Sequence, residues 1–400
     1  MHYIRLLRPA KLDAKSLTIS LLVTITTDLG DSFLYPDEPV DLLVSADDAA
    51  GQSVIAKAAL GQRFRWSQGL RVLDIKVPVN PRLRRDDVTC NIKIHPATQP
   101  LPSGALRGRD TLPWRNSVEA SAGRGLIMPV SVEMVSGVCS PVSLRTLQLS
   151  TSSRPEDQLN LELEEDIGES IARHIWDAGV VTASFLADAC LTNEATHNVL
   201  DINRDTFSVL ELGSGVGILG ITLALIIEKA AIAQGRTLSE ATVLLTDLAE
   251  AEERALSNIS RAEAVLSSSS TASSTVTLKY ENLDWDEGRH GQFGPLASSR
   301  PWDLVILSDC TYNVDSLPAL VGTLSAFHAA NTKYARNQER TKTSVILATK
   351  PRHSSEQALF GLLKADEWQY SVLRSIPLPK LGEEDEVVDI YLLEKGDGKK

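Results

Sequence analysis

The chain has 400 residues, of which 43% are hydrophobic and 23% charged, and its formal net charge is −12. This length and composition exclude wholesale disorder and predict two domains or one elaborated domain. The acidic balance argues against a protein whose main partner is duplex nucleic acid, because phosphate contacts need a basic surface.

The first 95 residues predict a β-rich accessory domain. Residues 1–125 carry 17 basic and 13 acidic side chains, net +4, whereas the remainder carries 23 and 39, net −16, which also indicates two units. Short strands at this spacing predict a small sandwich or an open barrel. Four runs rich in β-branched residues are the predicted strands: Ser16–Thr27, Pro39–Ser45, Gly69–Val79 and Asp87–His95.

The next segments connect this domain to the rest of the chain. Residues 96–125 are rich in Pro, Ser, Gly and Arg without periodicity, and they predict a linker. Residues 126–165 contain three strand-like runs, Leu126–Met134, Val142–Ser150 and Leu159–Leu163. We interpret residues 126–165 as a β-hairpin extension that leads into the C-terminal domain.

Residues 166–396 predict an α/β domain. A helical pattern over Gly168–Leu186 is followed by buried-type strands that alternate with helices, which is typical of a parallel sheet covered on both faces. Two terminal strands separated by a loop predict an antiparallel hairpin at the edge of the sheet. The predicted strands are Ser208–Leu212, Thr242–Thr246, Thr275–Tyr280, Leu304–Ser308, Ser344–Ala348, Tyr370–Ile376 and Val387–Leu393, with helices beginning near Gly217, Ala249, Ser316 and Ser354.

A glycine-rich segment after the first of these strands carries the strongest chemical signal. The strand ends at Glu211 and Leu212 and runs into Gly213, Gly215 and Gly217 before a helix opens. Glycines at such a turn let a ligand lie against the main chain and face helix N–H groups, although a tight turn needed only for packing remains an alternative. A dinucleotide fingerprint would need its third glycine at position 218, where this chain has Ile218.

Carboxylates follow the next strands at the same edge of the predicted sheet. Asp247 ends the second strand, where it could accept hydrogen bonds from both hydroxyls of a ribose, or instead cap the following helix. Asp284 and Trp285 follow the third strand and could contact an adenine edge and face, although a Trp that packs the helix layer is equally open. Ser308 and Asp309 end the fourth strand, over the reactive end of a cofactor held there.

These residues resemble the seven-β-strand, class I lysine methyltransferases that act on non-histone proteins, the methyltransferase-16 family. The resemblance covers about residues 157–396, and residues 1–150 match nothing in the family core. Four segments match in order: Ile175–Gly179 (IWDAG) resembles the W-D-A helix, Leu210–Gly220 the glycine loop, Leu283–Trp285 the L-x-W segment and Asp309–Tyr312 the D-x-x-Y segment.

The resemblance implies a fold, a cofactor and a site. The fold is α/β: a class I methyltransferase, Rossmann-like doubly wound sheet with a terminal antiparallel hairpin, preceded by a smaller β-rich N-terminal domain. The cofactor is S-adenosyl-L-methionine. Asp309 is expected to orient the acceptor amine or hold the amino end of the cofactor, and Tyr312 to line the lysine channel. The implied cofactor-binding residues are Trp176, Glu211, Gly213, Ser214, Gly215, Gly217, Asp247, Asp284, Trp285 and Ser308.

The fourth segment also bears on the acceptor. Enzymes that methylate planar amide or base nitrogens typically carry (D/N)-P-P-(Y/F) here, and Asp309–Tyr312 lacks both prolines. A primary aliphatic amine fits better, because it needs a carboxylate and a π-face around a cationic nitrogen. We therefore expect a protein N-methyltransferase acting on lysine by in-line methyl transfer. The alternatives are a protein histidine or arginine, a small-molecule amine, or a non-catalytic methyltransferase-like scaffold.

The remaining expectations concern partners and location. We expect a lysine-bearing protein substrate, no nucleic acid or membrane partner, and partner binding by the N-terminal domain. The longest apolar run, Gly215–Ile227, is too short to cross a bilayer, so a soluble protein of the cytoplasm, with the nucleus as a second location, is expected. The four cysteines lie far apart without C-x-x-C spacing, which predicts free thiols and no metal site.

Overall fold

The computed structural model places the chain in two compact units. The first comprises residues 1–151, 162–174 and 378–385, and the second comprises residues 152–161, 175–377 and 386–400. The structure describes residues 1–84, 88–98, 104–115, 125–150, 158–168, 172–192, 200, 206–234, 240–269, 276–335, 343–379 and 386–395.

The first unit is built on one large sheet, in which thirteen strands of the described residues are joined. The long strand Thr18–Thr27 shows why the sequence folds this way: alternate residues Ile19, Leu21, Val23 and Ile25 are buried, as a period of two requires. The strands are β1 His2–Leu6, β2 Lys11–Asp13, β3 Thr18–Thr27, β4 Val40–Asp48, β5 Arg63–Trp66, β6 Leu73–Pro78, β7 Thr89–Pro96, β8 Leu106–Arg107, β9 Ile127–Met128, β10 Val130–Val135, β11 Val138–Cys139, β12 Val142–Ser150 and β13 Leu159–Asp166.

Strand pairing differs from the predicted division of this region. The run predicted as one strand over Leu126–Met134 is split at Pro129, which has no N–H to donate to a ladder. β10 pairs antiparallel with β7, so these strands extend the N-terminal sheet rather than forming a separate hairpin extension over 126–165. Within the predicted linker 96–125, β8 pairs in parallel with β12, while residues 99–103 and 116–124 lie outside the described residues.

A buried ion pair ties strands of the first unit together. The Nε of Arg145 donates to Glu165 at 2.6 Å, and both side chains are almost fully excluded from solvent. Arg145 also donates from Nη1 to the carbonyl of Pro129 at 2.7 Å. Although burial opposes its charge, the neighbouring guanidinium holds the pKa of Glu165 well below its usual range.

The second unit is built on a seven-stranded sheet in the order β16-β15-β14-β17-β18-β20-β19. The first five strands in chain order are parallel, and β20 inserts antiparallel between β18 and β19. This order confirms the predicted doubly wound sheet with its terminal hairpin. The strands are β14 Thr206–Leu212, β15 Glu240–Asp247, β16 Val276–Asn282, β17 Leu304–Ser308, β18 Ser344–Thr349, β19 Trp368–Pro377 and β20 Val387–Lys395.

The helices of the second unit connect these strands. The first begins at Asp177, later than the predicted start at Gly168, because Trp176 is extended, with φ −115° and ψ 152°. Just before it, Arg173 pairs with Asp166 at 3.1 Å instead of entering a helix. The helices are α1 Asp177–Leu191, α2 Ile218–Ala233, α3 Ala249–Ser269, α4 Trp285–Gly288, α5 Leu317–Ala335 and α6 Ala358–Ala365, and the 3-10 turns are Lys57–Ala59, Pro81–Arg84, Gly108–Thr111, Val314–Ser316 and Ser354–Gln357.

The structure bears on the expectations of free thiols and of no membrane-spanning helix. All four cysteines are free thiols, with Cys90 and Cys310 buried and Cys139 and Cys190 half-buried. None of the helices among the described residues has the length and apolar character needed to span a membrane.

Candidate cofactor and acceptor site

One edge of the seven-stranded sheet collects the predicted site residues. Because β14 to β18 run parallel, their last residues lie along the same edge. The strand order reverses between β14 and β17, and ligands of open α/β sheets bind outside the carboxyl ends at such a switch point. The glycine loop leaves β14 at this point, and Asp309 follows β17.

The glycine loop requires backbone conformations that other residues rarely adopt. Gly213, Gly215 and Gly217 have φ of 61°, 52° and 85°. A Cβ on Gly213 would lie 2.5 Å from the Sγ of Cys310. The loop therefore depends on glycine for both its turn and its close approach to β17.

The Glu211 side chain links the two ends of the glycine loop. Its carboxylate accepts the backbone N–H of Gly220 at 2.8 Å and that of Leu219 at 3.3 Å, in the first turns of α2. Burial raises the pKa of Glu211 to about 8, although these two N–H groups oppose the shift. Glu211 thus joins β14 to α2, and a contact between its side chain and the cofactor stays a prediction.

Asp247 closes the other side of the loop. Its Oδ2 accepts the N–H of Gly215 at 2.7 Å, and its Oδ1 accepts the N–H of Leu248 at 2.7 Å. Burial raises the pKa of this carboxyl. The carboxylate therefore lies directly beside the glycine backbone, where the sequence predicts a ribose.

The hydroxyl of Ser214 indicates whether the glycine loop suits a polar ligand. Its backbone N–H donates to the carbonyl of Thr246 at 3.0 Å. Its hydroxyl is buried and has no hydrogen-bond partner among the described residues. A buried hydroxyl normally has a partner, so a ligand with hydroxyl or amine groups in this loop would satisfy it. S-adenosylmethionine carries both hydroxyl and amine groups, so the residues of this loop fit it.

The L-x-W segment contributes a ring but not a free carboxylate. The indole of Trp285 lies 3.2 Å from the Cβ position of Gly213, beside the glycine loop. Asp284 caps the short helix α4 by accepting the N–H of Asp286 at 2.8 Å. Trp285 is thus placed to face a ligand of the loop, whereas Asp284 is engaged in its own turn.

Asp309 brings two predicted segments together. Its Oδ2 accepts the N–H of Ala178 at 2.9 Å, at the start of α1, and its Oδ1 pairs with Nη1 of Arg352 at 2.7 Å. The Arg352 guanidinium lies 5.3 Å from the ring centre of Trp176. Asp309 itself has a φ of 53°, which is uncommon for a residue with a side chain. The structure therefore joins the IWDAG and DCTY segments through one carboxylate.

The neighbours of Asp309 differ in exposure. Tyr312 is 58% exposed, and partial burial raises the pKa of its phenol. The Cβ position of Gly179 lies 3.5 Å from the Oγ of Ser308, so this hydroxyl sits against α1. Burial raises the pKa of the Cys310 thiol well above its usual range, and the thiol donates to the carbonyl of Ser308 at 3.2 Å. Burial therefore favours the neutral thiol at Cys310, which packs against the glycine loop.

Comparison with known proteins decides the family. A family model described as lysine methyltransferase matches residues 155–366, more than half of the chain. The chain belongs to this lysine methyltransferase family. The match takes in the IWDAG segment, the glycine loop, Asp247 and the DCTY segment, and it confirms the resemblance read from the sequence.

Similar proteins are distant. The UPF0665 family protein C23C4.06c of Schizosaccharomyces pombe is 28% identical over 251 residues, which are 63% of this chain and 60% of that protein. TYW2 of Pyrococcus horikoshii, solved in complex with MeSAdo, is 9% identical with a TM-score of 0.33 over 66% of this chain and 75% of that one. TYW2 of M. jannaschii, solved in complex with AdoMet, is 12% identical with a TM-score of 0.28 over 59% of this chain and 83% of that one. The strand order of the sheet itself defines the fold.

Sequence reasoning missed two cations at this edge of the sheet. Lys350 follows β18, and its ammonium pairs with Asp177 at 2.8 Å and with Glu386 at 2.7 Å while buried. Arg352 lies two residues later. Their partners are far away in sequence, so only the position of Thr349–Arg352 at the exit of a parallel strand could have indicated them.

Proposed function

We propose that this protein is an S-adenosylmethionine-dependent N-methyltransferase that methylates a lysine side chain of a non-histone protein. One observation carries the proposal. Two carboxylates lie at the same edge of the sheet, and each accepts a backbone N–H from a segment that resembles the family: the glycine loop for one and the IWDAG segment for the other. Asp247 binds the glycine loop through Gly215, and Asp309 binds the start of α1 through Ala178. The first suits a nucleoside and the second suits a cation.

The cofactor pocket follows from the glycine loop. Asp247 would accept the ribose hydroxyls, the Ser214 hydroxyl would bond a polar group of the ligand, and the Trp285 indole would stack against the adenine. Trp176 would line the reactive end beside Asp309. When bound, S-adenosylmethionine supplies a methyl group on a sulfonium, which suits an in-line displacement by a neutral amine.

The acceptor end is chemically simple. The Asp309 carboxylate would orient the lysine nitrogen by accepting a hydrogen bond from one of its N–H groups. The Tyr312 ring would line the channel from the solvent side. The amine must lose a proton before it attacks, and most of the rate would come from positioning. The N-terminal unit would bind a protein partner, and the reaction would take place in the cytoplasm, with the nucleus as a second location.

Two measurements test the proposal in sequence. Isothermal titration should give stoichiometric binding of S-adenosylmethionine to the full chain. Incubation with tritiated S-adenosylmethionine and a protein extract should then yield labelled protein from which acid hydrolysis releases methyl-lysine.

The other outcomes separate the alternatives. If the chain does not bind S-adenosylmethionine, every methyltransferase function is excluded, and the non-catalytic scaffold remains as the hypothesis. Binding with label in methyl-histidine or methyl-arginine would move the acceptor to another side chain. Label only in small molecules or RNA would defeat the protein substrate.

A further inference from the structure

The side chain of Arg352 occupies a position built for a cation. Its Nη1 lies 2.7 Å from the Oδ1 of Asp309, and its guanidinium carbon lies 5.3 Å from the ring centre of Trp176. A carboxylate on one side and an aromatic face on the other are the two features that bind an ammonium group in proteins. In the proposed function, the same two groups border the place where the acceptor amine meets the methyl group.

The backbone of Arg352 is fixed independently of this side chain. The buried carboxylate of Glu356 accepts the N–H groups of Arg352 at 2.9 Å and His353 at 3.1 Å. Its second oxygen accepts the hydroxyl of Thr311 at 2.8 Å. The Arg352 side chain can therefore change rotamer without moving the loop that carries it.

Space for such a movement adjoins the side chain. A cavity of about 340 Å³ is lined by Arg352 together with Thr349, Asp389 and Tyr391. The Asp389 carboxylate accepts the hydroxyls of Ser375 at 2.6 Å and Tyr391 at 3.3 Å, and it has no cationic partner among the described residues. A guanidinium in this cavity would find a second carboxylate.

The other cation at this edge cannot exchange in the same way. Lys350 is only 4% exposed, and its ammonium is held between Asp177 and Glu386. Asp177 is fully buried, so moving the ammonium away from it would separate a buried ion pair, which is costly. The Arg352 side chain is 16% exposed and adjoins the cavity that Asp389 also lines, so its guanidinium has a polar place to move to.

We propose that Arg352 occupies, in the protein without substrate, the subsite that receives the lysine ammonium of the acceptor protein, and that it turns into the adjoining cavity toward Asp389 when the acceptor binds. This inference rests on the proposed function, because it assumes a lysine acceptor. It makes the acceptor compete with an internal cation and makes Asp389 a determinant of acceptor affinity.

The test is a double-mutant cycle on methyl transfer into a protein extract from cells that lack this chain. Arg352→Gln should lower the half-saturating extract concentration about tenfold, because the competing guanidinium is gone. Asp389→Asn should raise it several-fold, because Arg352 loses its alternative partner. The double variant should behave like Arg352→Gln alone, since Asp389 acts only through the arginine. Arg352→Lys retains a cation and should stay close to wild type.

Several outcomes would overturn the inference. A lower kcat for Arg352→Gln with an unchanged half-saturating concentration would make Arg352 a residue that positions Asp309. Additive effects in the double variant would separate Asp389 from Arg352. Tighter S-adenosylmethionine binding by Arg352→Gln, with unchanged acceptor affinity, would assign the subsite to the amino group of the cofactor. If the wild-type chain neither binds the cofactor nor labels protein, the proposed function fails; if it does both and the cycle fails, only this inference fails.

Discussion

The carboxylate of Glu211 accepts the backbone N–H of Gly220 at 2.8 Å and joins the first strand of the α/β sheet to the helix that follows the glycine loop. Burial raises the pKa of this carboxyl from its ordinary 4.5 to about 8. Between these two values the folded chain binds more protons at Glu211 than the unfolded chain does. The stability that this group contributes is therefore complete below pH 4.5 and is lost as the pH rises through 8.

Glu211→Gln should remove this pH dependence. The free energy of unfolding of the wild-type chain should fall relative to that of the variant as the pH is raised from about 5 to about 8, because glutamine does not titrate. Urea unfolding at several pH values measures both curves. Parallel curves would mean that the carboxyl titrates alike in the folded and unfolded chain.

The approach of Gly213 to Cys310 predicts a steric cost at the loop. Gly213→Ala would place a Cβ 2.5 Å from the Cys310 Sγ. Gly291 has a similar φ of 72°, but its Cβ would meet nothing within 4 Å. Because the φ strain is common to both, Gly213→Ala should cost about 1–3 kcal/mol more in unfolding free energy than Gly291→Ala.

A second substitution checks the cause of that difference. Cys310→Ala in the Gly213→Ala background removes the sulfur that the new methyl group meets. It should recover part of the lost stability in the same urea titration, whereas no recovery would assign the cost to the backbone alone.

Asp247 predicts a loss of cofactor affinity. Asp247→Ala removes the acceptor proposed for the ribose hydroxyls and also frees the Gly215 N–H. The Kd for S-adenosylmethionine should rise by about 100-fold, since hydrogen bonds to a charged group are worth about 1.5–3 kcal/mol each. Glu240→Ala, at the opposite end of the same strand and exposed, should leave the Kd within about twofold. If calorimetry gives the two variants equal affinities for S-adenosylmethionine, Asp247 does not bind the ribose.

The sequence predicted the α/β half more accurately than the β-rich half. β17 matches its predicted bounds, Leu304–Ser308, because a buried parallel strand reads as a continuous apolar run. The pairing of β10 with β7 could not be read, because register between strands far apart in sequence depends on tertiary contacts. The start of α1 was wrong for a similar reason: Arg173 turns back to Asp166, which local periodicity does not reveal.

The same distinction holds within the candidate site. The glycine loop and Asp247 each follow a strand that the local sequence predicts. Their position at the same edge of the sheet was therefore predictable from the ends of parallel strands. Arg352 carries no local signal, because its importance comes from Asp309, 43 positions earlier. Pairings of this kind appear only when the fold brings the strand ends together.

The buried ion pair of the N-terminal unit predicts a large and asymmetric effect on stability. Arg145→Met takes the guanidinium away from the buried Glu165 carboxylate and should cost about 3–5 kcal/mol, whereas Arg145→Met with Glu165→Leu should recover most of this loss. Lys76→Met breaks a pair that is exposed on both sides, Lys76–Asp74, and should change stability by less than about 1 kcal/mol. Chemical unfolding of the full chain measures all three. A double variant as unstable as Arg145→Met would mean that packing, not charge, is lost.

Substitutions at Tyr312 can change methyl transfer without changing stability, because its side chain is 58% exposed. Replacing it should change the free energy of unfolding by no more than about 0.5 kcal/mol. If the ring lines the lysine channel, Tyr312→Phe should retain most methyl transfer, and Tyr312→Ala should lose about tenfold or more in kcat/KM with an unchanged Kd for S-adenosylmethionine. Tyr334→Ala, which removes a tyrosine of comparable exposure near the far end of α5, is the matched control and should leave transfer unchanged. A loss in Tyr312→Phe equal to that in Tyr312→Ala would instead assign the function to the hydroxyl, and unchanged transfer in both variants would remove Tyr312 from the acceptor channel.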